Sequence, residues 1–283
     1  MRKLVSFDWA LKRLLRSKAN FAILEGFLSE LLYNDIIILE VLEGESNKDH
    51  RLDRYNRVDV KVKNSKEEIL IIEVQFEREL DYFQRILYGT ARVITEHLTQ
   101  SDPYINVVKV ISISILYFDL GHGIDYIYHG RTVFKGINKG DELQLSDLQK
   151  EVFNKDNPAD LYPEYYLLKI NQFNDIAKTT LDEWMFFLKN EEIKENFTAK
   201  GLKKAKEELD IMKLSDEERA LYMRYSDDLH YQASMYQSTY VTGHLEGKKE
   251  AKLEIAKSLL DVLDVETISK KTGLTREEIS KLR

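Results

Sequence analysis

The chain has 283 residues, of which 43% are hydrophobic and 32% charged, and it carries a formal net charge of −7. This is a globular composition with room for one large domain or a domain plus an appendage, and the acidic balance argues against tight nonspecific nucleic-acid binding over the whole surface. The absence of cysteine excludes disulfides and thiolate metal sites, and no apolar run reaches the length of a signal peptide or membrane span, so a cytoplasmic protein with no membrane partner is expected.

In chain order, two helices come first. Asp8 is placed to cap one bearing Trp9, Leu11, Leu14 and Leu15. Asn20 is placed to cap the next, where Phe21, Leu24, Phe27, Leu28, Leu31 and Leu32 recur at three- and four-residue spacing. The run IIILEVLE changes to strand character, and the polar GESNKDHRLDRYN reads as a loop. Strands are predicted over 57–63 and 68–76, a helix from about Asp81 to Thr99, and a very apolar strand over 106–118. IDYIYHG, RTVFKG and YYLLKINQF give further strand patterns between 124 and 174, and from about 178 the pattern is helical. Helices, strand, hairpin, helix and strand in this order predict an α/β or α+β fold for the first 175 residues, a mixed sheet with helices on its faces.

Asp59 and Glu73 are the residues with chemical content. An antiparallel hairpin turning at 65–67, with Asn64 facing Glu68, sets Asp59 across from Glu73. Alternation assigns Val58, Val60 and Val62, with Leu70, Ile72, Val74 and Phe76, to a wholly apolar face. Asp59, Lys61, Glu73 and Gln75 (opposite Arg57) share the other face. Carboxylates about 5 Å apart on neighbouring strands repel; protonation, solvation or a bridging cation relieves this. Such hard oxygen ligands suit Mg2+, which keeps several waters and takes other ligands from a substrate phosphate. The alternative is a solvated hairpin whose acids pair with Arg57, Lys61 or Lys63.

FDWALKRLL at 7–15, Asp59, IIEVQ at 71–75, FQRILYG at 83–89 and Tyr104 before INVVKVISISIL form an ordered set. It resembles the PD-(D/E)XK nuclease superfamily and, more narrowly, the recombination-promoting nuclease and putative transposase family. The resemblance implies a restriction-endonuclease-like core, a central mixed sheet flanked by helices, followed by a helical C-terminal region. It also implies a DNA endonuclease of recombination or transposition, dependent on Mg2+ or Mn2+. Asp59, Glu73 and the Val74 carbonyl would hold the metal. Val58 stands where the superfamily has proline, and Gln75 where it has lysine, offering a neutral hydrogen bond in place of a charge. Lys61, on the same face, could supply that charge. Gln84 and Tyr88 match the spacing of a motif in RecB-like nucleases, and Arg85 shares their helix; an ordinary amphipathic helix would instead bury Phe83 and Leu87. Glu25 or Glu30 could orient a metal-bound water. The alternative to an enzyme is a nuclease fold that has lost cleavage and serves as a DNA-binding or oligomeric assembly module.

Three regions are expected: a nuclease-like domain over 1–175, a helical region over 176–245, and a charged helix with a helix-turn-helix-like tail over 246–283. In the tail, Thr275 and Glu278 have capping-box spacing. A homo-oligomer through the helical half is a further expectation. No phosphate loop, HExxH or nucleophile elbow occurs, and the six histidines show no metal-ligand spacing.

Overall fold

The computed structural model describes residues 4–13, 15, 17–42, 59–98 and 101–282. Leu14, the loop over 44–56, Arg57, Val58 and Thr99 lie outside the described residues. Helices α1 (Phe7–Arg13) and α2 (Phe21–Leu32) precede strands β1 (Ile38–Leu42), β2 (Val60–Asn64) and β3 (Ile69–Gln75). Helix α3 (Tyr82–Glu96) leads to β4 (Val110–Leu116), followed by β5 (Ile127–Gly130), α4 (Asp147–Phe153) and β6 (Glu164–Lys169). Helices α5 (Thr180–Asn190), α6 (Leu202–Glu208), α7 (Asp216–Leu259), α8 (Val265–Thr272) and α9 (Arg276–Ser280) complete the chain. It divides into two compact units, Met1–Ser215 and Asp216–Arg283.

The first unit is an α+β fold around a six-stranded mixed sheet of order β1-β2-β3-β4-β6-β5. Strand β4 runs parallel to both β3 and β6, while β1, β2 and β5 pair antiparallel with their neighbours. The parallel β3–β4 pair needs a crossover, which α3 supplies. VISISIL in β4 is buried at every position, as a central strand covered on both faces must be.

Val60 faces Ile72, Lys61 faces Ile71, Val62 faces Leu70 and Lys63 faces Ile69, the expected register. Asn64 fixes the turn: its side-chain oxygen accepts from the Lys66 and Glu68 amides at 3.0 and 2.9 Å. Val60, Val62, Leu70, Ile72 and Val74 are buried together on the expected face. Phe76 lies past the end of β3, partly exposed and stacked on Tyr117. On the opposite face Ile69, Ile71 and Val110 pack with Val93 of α3. Further along α3, Tyr82 and Ile86 pack with Leu116 and Phe118.

That packing selects the buried stripe of α3, which is Tyr82, Ile86, Thr90 and Val93. Phe83 and Leu87 are exposed instead. Other differences from expectation are local. The Ser6 hydroxyl, 3.4 Å from the Trp9 amide, takes the capping position because α1 begins at Phe7, leaving Asp8 inside the first turn. Asn20 is the N-cap residue of α2 but makes no side-chain cap bond. RTVFKG forms no strand, contributing one isolated bridge between Lys135 and Glu142.

A second layer gathers α1, α2 and α5 through Phe7, Phe27, Trp184 and Phe187, whose rings meet at centroid distances of 5.4 to 6.2 Å. Helix α2 also meets the start of α6 so closely that a Cβ on Gly26 would lie 2.3 Å from the Lys200 carbonyl oxygen. In the second unit, the end of α7 joins α8 and α9 around Ala256, Ile268, Leu274 and Ile279. The expected capping box between Thr275 and Glu278 is present.

Candidate active site

The ladder ends at Val60, and one residue before it the Asp59 carboxylate accepts a 2.6 Å hydrogen bond from the Val74 amide. Asp59 is thereby fixed beside Glu73, as the extended register requires. Glu73 itself is mostly buried, its side chain 12% exposed, and is ion-paired with Arg85. Burial pushes the Glu73 carboxyl up to about 7, against the pull of Arg85 and with the charges of Asp59 and Glu79 adding to the rise. Glu73 is therefore no solvated surface acid: it is a mostly buried carboxyl raised by desolvation beside a second acid, the environment in which functional carboxylates are sought.

Arg85 reaches this point because it stands on the first turn of α3, one residue from the buried stripe. Its guanidinium bridges Glu73 and Glu79 and lies 5.8 Å from the Tyr82 ring centre. Gln75 also joins the network, its amide nitrogen donating to the Glu79 carboxylate at 2.9 Å and the Glu77 carbonyl at 3.3 Å. With those donors committed, the Gln75 group left for anything entering the site is its carbonyl oxygen. Glu79 is therefore the hub between Gln75 and Arg85. Sequence reasoning passed over it; the available signal was an acid four residues beyond Gln75 in the connection to α3.

The other candidates fall elsewhere. Lys61 is buried, and its ammonium bonds Glu96 at 3.1 Å. Glu96 ends α3, about 16 Å along the helix from Arg85 at 1.5 Å per residue, so among the described residues the cation paired with Glu73 is Arg85, while Lys61 is paired with Glu96. Gln84 and Tyr88 lie on the exposed side of α3; of the three candidates on this helix, Arg85 alone bonds a hairpin carboxylate among the described residues. Glu25 accepts from the Ile38 amide at 2.9 Å. Glu30 accepts from Thr180 and the Lys200 amide at 2.5 and 3.0 Å. Both acids tie secondary elements together.

Among the described residues no three histidine or acidic side chains are grouped as a ready-made metal cage. Two carboxylates and a backbone carbonyl still fit a hard divalent ion that keeps most of its waters. Asp59, Glu73 and Val74 offer that donor set.

A mixed sheet with a helix-bridged parallel pair, and a hairpin opposing an aspartate to Glu-x-Gln, defines the restriction-endonuclease-like fold. The chain belongs to the PD-(D/E)XK nuclease family transposases, whose family model matches residues 5–239. None of the curated proteins and none of the solved structures matches it. Membership supports a nuclease- or transposase-related function; PD-(D/E)XK nucleases generally use divalent metal ions, and the family implies DNA as the substrate. No helix among the described residues is long and apolar enough to cross a membrane.

Proposed function

We propose that this protein is a Mg2+-dependent DNA endonuclease, with Mn2+ as a working substitute, that hydrolyses phosphodiester bonds during recombination or transposition in the cytoplasm. The observation that carries this reading is the Asp59–Glu73 pair, held close together and partly buried at the end of the hairpin although each charge raises the cost of the other. Asp59 and Glu73, with the Val74 carbonyl, would hold the metal. The bound ion would stabilise phosphate charge and lower the pKa of an attacking water.

The chain's own residues supply the rest. The Val74 amide fixes one Asp59 oxygen and so orients the carboxylate. Arg85 provides positive charge for a phosphate oxygen, the part that lysine plays elsewhere in the superfamily. Gln75, its nitrogen held by Glu79, offers an acceptor to a water or to the metal. Lys61, its ammonium held by Glu96, supports the packing of α3, and Gln84 and Tyr88, on the exposed side of that helix, are open to a DNA strand.

The test is nicking of supercoiled plasmid by the purified protein with EDTA, Mg2+ or Mn2+, beside Asp59→Ala and Glu73→Ala. Metal-dependent nicking that both substitutions reduce at least a hundredfold is the expected result. Equal nicking by wild type and variants would remove the site from the hairpin. The second reading, a DNA-binding or assembly module without cleavage, is favoured by one observation: Arg85 and Glu79 already close a charge-balanced network over Glu73. Retained DNA binding with no nicking under any metal would select it.

A further inference from the structure

Strand β4 is buried at every position, yet its side facing α3 is not apolar throughout. Val110 and Leu116 belong to the two clusters beneath the helix, and between them on that side stand Ser112 and Ser114. Ser114 is 1% exposed, and Tyr82, at the start of α3, is 0% exposed. Among the described residues neither hydroxyl makes a hydrogen bond of good geometry. Thr90 on the same helix shows the usual solution, its hydroxyl donating to the Ile86 carbonyl at 2.8 Å. A buried hydroxyl without a partner is costly. Two of them on one face of a core call for a cause.

The sheet register supplies one. Ser114 is the partner of Glu73 across the parallel β3–β4 pair, so their side chains stand next to each other on one face. Tyr82 reaches the same point from the helix. Its ring packs edge-on against Phe118 and lies 5.8 Å from the Arg85 guanidinium that bonds Glu73. Burial, and after it the charge of Glu73, push the Tyr82 phenol above its usual pKa, while Ser114 and Arg85 pull it down. A phenol so placed keeps its proton and serves as a donor.

An ionised carboxylate only accepts hydrogen bonds, whereas a serine hydroxyl both accepts and donates. One order of donation therefore satisfies all three groups. We propose that Tyr82 and Ser114 are positioning residues for Glu73, donating in series, Tyr82 Oη to Ser114 Oγ and Ser114 Oγ to the carboxylate, when Glu73 serves as a metal ligand. The inference rests on the reading of Asp59 and Glu73 as the metal-holding pair. Arg85 by itself leaves Glu73 loosely fixed, because Glu79 shares the guanidinium. A ligating carboxylate that is itself hydrogen-bonded holds its metal more tightly, and bonds in series strengthen one another.

This role differs from a structural one in a measurable way. Without metal the two hydroxyls are unpaired and contribute nothing to the fold; with metal they acquire partners. Tyr82→Phe keeps the ring against Phe118 and Leu116, and Ser114→Ala removes a single oxygen, so both variants retain the packing of α3. Full-length wild type, the two variants, their double variant and Asp59→Ala are compared by calorimetric titration with Mn2+ and by thermal unfolding in EDTA.

Tyr82→Phe and Ser114→Ala are each expected to weaken Mn2+ binding about tenfold, with the double variant no weaker than about tenfold, because one break interrupts the series. In EDTA, Tyr82→Phe is expected to melt no more than about 2 °C below the wild type, having lost no bond. Equal Mn2+ binding by wild type and variants would overturn the proposal and leave the metal pair standing. So would losses that multiply in the double variant, or a Tyr82→Phe protein that melts far below the wild type in EDTA. A wild type that takes up no Mn2+, or Asp59→Ala that takes it up unchanged, would remove the metal reading itself and the proposal with it. Neither readout depends on DNA cleavage.

Discussion

Glu73→Gln should stabilise the metal-free protein, and do so only when the pH is high enough for Glu73 to ionise. Burial raises this carboxyl from an ordinary 4.5 to about 7, so between those pH values the folded state holds a proton that the unfolded state has released. The stability contributed by protonated Glu73 is complete below about pH 4.5 and is lost as the pH rises through 7. At about 1.4 kcal/mol per pH unit the loss amounts to roughly 3 kcal/mol above pH 8. Glutamine keeps the shape, carries no charge, and leaves Arg85 paired with Glu79, so it escapes this loss. For a unit of this size about 3 kcal/mol corresponds to roughly 6–12 °C in melting temperature. Thermal unfolding of both proteins in EDTA from pH 4.5 to 8.5 measures the difference. The expected curves meet at the acid end and separate through pH 7, and saturating Mn2+ closes the gap by stabilising the wild type alone. A constant difference across the range would refute a raised Glu73 carboxyl and, with it, the strain attributed to the opposed acids.

The same ionisation should govern cleavage: activity rises with pH through about 7 at limiting metal. Arg85→Gln removes the charge that holds the Glu73 carboxyl down, moving that limb to higher pH as well as lowering the plateau, which a pH–rate profile will show. Gln75→Glu should keep Mn2+ binding within about threefold by calorimetry, whereas Gln75→Lys should lose at least tenfold, because the free part of the amide is its acceptor oxygen; the opposite ranking would mean that Gln75 acts as a donor. Lys61→Met should leave nicking within about twofold of wild type, since the ammonium is held by Glu96; a hundredfold loss would place Lys61 at the reaction. Gly26→Ala should destabilise the first unit by several kcal/mol in denaturant, because its Cβ would meet the backbone of Lys200.

The sequence by itself determined the hairpin. Strand residues alternate faces, so once the turn is taken as three residues the apolar set on one face fixes the register. That register sets Asp59 beside Glu73, and the observed ladder follows it as far as the pairing of Val60 with Ile72. β4 and the tail capping box were legible for similar reasons, since uninterrupted apolar character and a Thr-x-x-Glu spacing act locally. Helix α3 was different. Phe83 and Leu87 form as good an apolar pair as Tyr82 and Ile86, and helical periodicity alone does not rank them. The positions of Val110, Leu116 and Phe118 beneath the helix did, and that choice of face turned Arg85 toward Glu73, drew Lys61 to Glu96, and left Gln84 and Tyr88 exposed. What tertiary structure decided is which cation stands beside the acids, because charge pairing across elements depends on the rotation of a helix about its axis, and the local sequence leaves that rotation open.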